Sequence, residues 1–233
     1  MRVALVTGAS RGIGAAAAVA LGRRGWHVVL TARTQGGLEE TDDAVRAAGG
    51  TATLLPLDLA AGAQVDAIGP SLHARFGRLD ALVHAAGVLG KLTPTSHIMD
   101  RDWEGALAVN LGAAMRLIRT AAPLLEAAPA GRAVFVADAR AATPRAYWGT
   151  YGATKAAMEH LVRGWAAEAE GSALGVTLYD PGPTRTRLRA AAYPGEDPTG
   201  LPGPETAGEA IAGLCDLSGT GSPVQTDRTP VSA

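Results

Sequence analysis

Tyr151 and Lys155 stand four residues apart in Tyr-Gly-Ala-Thr-Lys. On a helix this spacing puts a phenol and an ammonium on one face. A nearby ammonium favours phenolate and lowers a tyrosine pKa. The pair suits proton exchange in a reaction that makes or consumes an alkoxide. The chain has only two lysines, Lys91 and Lys155, so a chance pairing with a tyrosine is not expected. The pattern alone also fits a surface contact, and the rest of the chain must decide.

A second group lies near the N-terminus. Thr7-Gly8-Ala-Ser10-Arg11-Gly12-Ile13-Gly14 follows one apolar run and opens a helical pattern. Glycines allow a tight turn and close approach of backbone to a pyrophosphate, and the helix start offers unpaired N–H groups to the anion. The spacing is Gly-x-x-x-Gly-x-Gly, not the commoner Gly-x-Gly-x-x-Gly, so the strand-turn-helix context carries the inference. About twenty residues on, where a carboxylate holds the ribose hydroxyls in NAD sites, the chain reads Thr31-Ala32-Arg33. Arg33 can pair with a 2′-phosphate, and Arg11 lies in the turn itself. Both favour NADP(H) over NAD.

Short apolar runs over 3–6, 28–31, 53–57, 81–84, 133–137 and 176–179 read as strands. Helical patterns over 12–24, 38–48, 63–76, 102–126 and 151–170 separate them. Such alternation implies βαβ units: a Rossmann-type, doubly wound parallel sheet in three layers, α/β, within one domain over 1–233. The strands are nearly all apolar, as when both sheet faces are covered. Prolines punctuate 180–204, and 183–204 reads as a substrate lid without clear structure of its own. Residues 207–214 suggest a last helix, and 218–233 a flexible tail.

The formal net charge of −1 gives no electrostatic case for nucleic acid or an anionic membrane. Cys215 is the only cysteine, which excludes an intrachain disulfide and a cysteine metal cluster. No apolar stretch is long enough to span a bilayer, and the start lacks a signal-peptide layout. A cytoplasmic location is expected. The histidines show no metal-ligand spacing. Trp148, Tyr147 and Tyr193 are equally suited to pocket walls or packing. Arg185, Arg187 and Arg189 read as a solvated basic face.

With the glycine turn of residues 7–14, Asn110 and Tyr151-x-x-x-Lys155 in this order, the sequence resembles the classical short-chain dehydrogenases/reductases over about residues 2–186. The resemblance implies an NADP(H)-linked oxidoreductase acting on a small carbonyl, alcohol or imine substrate. Tyr151 would be the acid/base, Lys155 would lower its pKa and hold the nicotinamide ribose, and Asn110 would hold a water in a proton relay. Gly8, Ser10, Arg11, Gly12, Ile13, Gly14 and Arg33 would cradle the phosphates. Asp58 and Leu59 would meet adenine. Ala85 and Gly87 lie in the Asn-Ala-Gly turn, Pro181 and Gly182 in the Pro-Gly turn, and Thr184 and Thr186 would contact the carboxamide. A homodimer or homotetramer through the two long helices is implied as well.

Three positions depart from the family pattern. The usual catalytic serine, thirteen residues before the tyrosine, is Asp138, and neither neighbour is a serine. The Asn-Ala-Gly turn reads Ala85-Ala86-Gly87, losing an amide that ties neighbouring strands. Asn-Pro-Gly reads Asp180-Pro181-Gly182. An ionised Asp138 only accepts hydrogen bonds, whereas serine donates to the substrate oxygen. Asp138 as a neutral donor, Asp138 as partner of a cationic substrate, and a cofactor-binding protein without turnover remain open.

Overall fold

The computed structural model describes residues 1–217. Six parallel strands form one sheet in the order β3-β2-β1-β4-β5-β6. They are β1 (Val3–Thr7), β2 (His27–Ala32), β3 (Thr51–Pro56), β4 (Ala81–His84), β5 (Arg132–Val136) and β6 (Gly175–Tyr179). All six expected strands are present, and the doubly wound α/β fold is the observed one. The order reverses between β1 and β4, the crevice where ligands bind in open α/β sheets.

Alternate strand residues feed two cores. Val3, Leu5, Leu82, Phe135 and Leu178 face one layer, containing α3 (Gly62–Asp66), α4 (Ile68–Phe76), α6 (Ala113–Glu126) and α7 (Gly149–Glu168). Ala4, Val6, Val28, Leu30 and Val134 face the other, containing α1 (Gly12–Arg23), α2 (Gln35–Ala47) and α9 (Pro204–Asp216). Burial on both faces explains strands without polar alternation. Phe135 anchors the first core, tilted on His84 and edge-on to Trp165 at centroid distances of 5.5 and 6.2 Å.

Three helical expectations change. The pattern over 63–76 divides into α3 and α4. The long helix expected over 102–126 is α5 (Asp100–Ala106), a π-helical turn (Leu107–Gly112) and α6. The wider turn carries Asn110, whose amide bonds outside the helix compensate the altered backbone spacing. The proline-rich segment is also more ordered than expected. It forms α8 (Arg187–Ala192), whose N-cap Thr186 accepts from Arg189 N at 3.1 Å, and a 3₁₀ turn (Pro198–Gly200). None of the described helices is long and apolar enough to cross a membrane. The tail expected over 218–233 lies outside the described residues.

Candidate active site

The glycine turn closes tightly over the end of β1. Gly8 has φ +68°, and a Cβ there would lie 2.8 Å from the Ala86 backbone. A Cβ at Gly14 would lie 2.4 Å from the Gly8 carbonyl. No side chain fits at either place, which brings the start of α1 against the turn with its N–H groups open to an anion. Ser10 packs against the start of α2, and Gly12 lies beside Thr186. Arg11 and Arg33 are both exposed at the rim, and Ala32 ends β2. This cradle fits a pyrophosphate, with cations available to a further phosphate.

The tie expected to be lost at Ala85 is made differently. Thr7 Oγ1 lies 2.8 Å from His84 Nδ1 and accepts from Ala86 N at 3.4 Å. The His84 pKa is lowered to about 3, first by burial and then by the Lys155 charge. The neutral ring shares one hydrogen bond with the Thr7 hydroxyl, its direction set by the tautomer. His84 packs in the core and links β4 to β1.

After β3, Asp58 N–H donates to Gln64 Oε1 at 3.2 Å, and Asp58 Oδ1 accepts from Ala60 N at 3.0 Å. Leu59 is buried in the first core. Thr184 is buried and donates to the Gly182 carbonyl at 3.2 Å. Asp180 Oδ1 accepts from Gly182 N at 2.9 Å and shapes the Pro181-Gly182 turn.

The proton-handling residues converge beyond the ends of β5 and β6. Tyr151 and Lys155 open α7 on one face and are only 4 % and 6 % exposed. The Tyr151 hydroxyl donates to Asp138 Oδ2 at 3.0 Å. Asp138 Oδ1 accepts from Arg140 N at 2.8 Å, capping a 3₁₀ turn (Ala139–Ala141). Lys155 Nζ donates to the Val136 carbonyl at 2.5 Å.

Two opposite effects are expected at Tyr151, lowering by Lys155 and raising by an ionised Asp138, and here the raising prevails. Burial, then the charge and hydrogen bond of Asp138, then Asp180 and Glu159, push the Tyr151 pKa well above its ordinary value. Burial lowers the Lys155 pKa, opposed by the charges of Asp138, Glu159 and Asp180. A phenol bonded to a carboxylate keeps its proton.

Asn110 is joined to this group through its amide. Its Oδ1 accepts from Val88 N at 2.8 Å, and its Nδ2 donates to the Val88 carbonyl at 2.9 Å and Thr154 Oγ1 at 3.0 Å. Both donors are engaged in positioning the loop after β4 against α7. Gly87 borders the same amide. Thr143, the nearest hydroxyl after Asp138, is exposed.

Sequence reasoning missed Glu159 altogether. It is buried one turn beyond Lys155, accepts from Asp138 N at 3.4 Å and pairs with Arg163 at 3.3 Å. The four-residue spacing from Lys155 on the same helix was the available signal. Trp148 is edge-on to Tyr151 at 5.8 Å, and Tyr193 tilts over Trp148 at 5.4 Å, so these aromatics pack in one cluster with the tyrosine. Tyr147 is exposed, with a strained φ of +73°. Arg185 and Arg187 are solvated as expected, but Arg189 lies 3.7 Å over Tyr193 and is held by Glu196. Among the described residues no group of three or more His, Cys, Asp or Glu could hold a metal ion.

Comparison with known proteins agrees with this architecture. Residues 2–197 match the family profile described as short chain dehydrogenase. The oxidoreductase YciK of Escherichia coli K12 is 34 % identical over 206 residues, spanning 87 % of this chain and 81 % of the relative. A structure from Pseudomonas syringae, described as a short chain dehydrogenase, superposes with a TM-score of 0.91 at 37 % identity, covering 97 % of this chain and 94 % of that one. A Shigella flexneri structure described as complexed with NADP superposes with a TM-score of 0.87 at 33 % identity, covering 92 % and 90 %. Sheet order, glycine cradle and the Tyr151–Lys155 pair on α7 thus meet in one conclusion: this chain belongs to the short-chain dehydrogenase family of oxidoreductases.

Proposed function

We propose that the protein is an NADP(H)-dependent oxidoreductase acting between a carbonyl or imine and the corresponding alcohol or amine, with Tyr151 as acid/base. The observation that carries this reading is the buried Tyr151 hydroxyl, held at 3.0 Å by Asp138 and followed one turn later by buried Lys155. When bound, the nicotinamide supplies or accepts hydride. The turn of Gly8, Ser10, Arg11, Gly12, Ile13 and Gly14 holds the pyrophosphate. Arg11 and Arg33 take the 2′-phosphate, and the absence of a carboxylate at Ala32 disfavours NAD. The NADP complex of the Shigella relative supports that choice.

Asp58 and Leu59 border adenine, Ala85 and Gly87 the central ribose side, and Pro181, Gly182, Thr184 and Thr186 the carboxamide. Lys155 holds the nicotinamide ribose. Asn110 orders relay water through its backbone, because its amide donors are engaged. The 183–204 segment, with α8 and Tyr193 over Trp148, is the substrate lid. A cytoplasmic homodimer or homotetramer is expected through α5–α6 and α7. Exposed Trp103 and Met115 on α5 and α6 support that surface, and light scattering gives the size.

Tyr151→Phe tests the reading. It should lower kcat by about 10²–10⁴-fold while leaving NADPH affinity unchanged. The second reading is a cofactor-binding protein without turnover, favoured by the Tyr151 hydroxyl donating to an acid, Asp138, at the position where the family carries a serine. It prevails if wild type and Tyr151→Phe bind NADPH equally and neither turns over a broad panel of carbonyls and imines.

A further inference from the structure

The groups around Tyr151 accept more readily than they donate. Asp138 Oδ2 already receives the Tyr151 hydroxyl at 3.0 Å, and the charges of Asp180 and Glu159 reach the same phenol. Against these three acids stands one buried ammonium, Lys155, which feels all three charges, and the arginines close by are partly neutralised by acids. Lys155 donates to the Val136 carbonyl at 2.5 Å, Arg163 pairs with Glu159 at 3.3 Å, and Glu196 grips Arg189 at 2.6 and 2.5 Å. A ketone under reduction gains negative charge on oxygen and needs donors there. A carboxylate opposes that charge. A protonated imine presents the reverse pattern, an N–H donor and a positive charge, which a carboxylate binds strongly.

We propose that Asp138 makes this a C=N site, its carboxylate receiving the N–H of a protonated imine where a hydroxyl would donate to a ketone oxygen. This names the substrate class of the oxidoreductase reading above and rests on it. The step balances. The iminium carbon gains one hydride, the C=N π pair becomes the nitrogen lone pair, and the reduced nicotinamide is oxidised by two electrons to NADP⁺. The iminium takes no proton from the enzyme in that step, whereas a ketone needs the Tyr151 proton. An imine arriving neutral is a far stronger base than a ketone, so a tyrosine that holds its proton firmly can still serve it.

The test compares 3,4-dihydroisoquinoline with 1-tetralone, a cyclic imine and a ketone of similar shape, using NADPH and the full chain. Wild type should favour the imine in kcat/KM by about 100-fold or more, the scale of one misdirected group at a developing oxyanion. Asp138→Asn should reduce that ratio at least about tenfold. Asparagine still caps the 3₁₀ turn, and a thermal melt checks the fold. Calorimetry supplies a readout without turnover. The amine product, 1,2,3,4-tetrahydroisoquinoline, should bind the wild-type NADP⁺ complex and lose about tenfold or more in affinity in Asp138→Asn. Preference for the tetralone, or a ratio and amine affinity indifferent to Asp138→Asn, overturns the proposal. So does the absence of both turnover and amine binding. Asp138-dependent amine binding without turnover of either compound sinks the oxidoreductase reading and leaves the recognition of protonated nitrogen standing.

Discussion

The two halves of the site are built on different physics. The half at the end of β1 is made of backbone: glycines pressed against Ala86 and against each other, with no buried charge of its own. The half beyond β5 is made of buried or half-buried charges. Asp138, Lys155, Glu159 and Asp180 come from a strand end, a helix and a second strand end, and bear on one phenol. Backbone shape tolerates no added atom. A charge cluster tolerates substitution, because a change of side chain retunes its pKa values and leaves the frame standing. That difference explains how the glycine turn keeps a familiar form while the serine position beside it holds an acid.

The largest expected effect breaks the backbone half. In Gly14→Ala the new Cβ lies 2.4 Å from the Gly8 carbonyl, and neither partner is a flexible side chain. The turn must open, at a cost of about 3 kcal/mol. NADPH affinity measured by fluorescence titration should fall about 100-fold or more, with a lower melting temperature. Unchanged affinity would show that the cradle has slack the geometry denies.

Asp138→Ser is the next in size and sharpens the charge half. It removes the second cause of the raised Tyr151 pKa and leaves burial, the first. Oxidation of an alcohol uses the phenolate as base, so its rate rises with pH toward the tyrosine pKa. The rising, acid-side limb of the kcat/KM profile for alcohol oxidation should therefore move to lower pH in Asp138→Ser. Reduction of a ketone should improve about tenfold to 100-fold, since a donor now faces the developing charge. NADPH affinity should not change. A limb that stays in place would show that burial alone governs Tyr151.

The same division governs what could be read in advance. All six strands were legible because burial on both faces makes each a plain apolar run. The glycine turn was legible because its spacing is local. The π-helical turn at Asn110 was not, since the helical pattern continues through it and the amide partners, Val88 and Thr154, lie 22 and 44 residues away. Glu159 looked like an ordinary surface acid on a helix. Only the approach of the Asp138 backbone shows it buried. The direction of the Tyr151 shift was legible only in part, because Lys155 and an ionised Asp138 pull it opposite ways. Lys155 is its neighbour on the helix, but the outcome depends on burial and on acids at 138, 159 and 180 that the fold alone brings together. Thr186 marked the order in the proline-rich segment, as the cap of α8, yet the prolines around it obscured a helix of six residues.

His84 joins the halves and gives the smallest effect, one absent at pH 7.5. It touches Thr7 on the backbone side and feels Lys155 on the charged side. Its folded pKa is depressed from 6.5 to about 3. Below pH 6.5 the unfolded chain gains a proton on this residue that the folded chain refuses. The stability it contributes is therefore present above pH 6.5 and lost as the pH falls toward about 3. The slope approaches about 1.4 kcal/mol per pH unit for one proton. His84→Asn keeps a hydrogen-bonding group for the Thr7 hydroxyl but cannot titrate. Urea unfolding at pH 7.5 should give similar stability for both proteins, whereas at pH 5.5 wild type should have lost about 1 kcal/mol more than the variant. His27, whose pKa burial also lowers, is common to both proteins, so the difference between their slopes isolates the His84 imidazole. Equal slopes would mean that the ring takes up a proton in the folded state, and that the junction between the two halves admits charge after all.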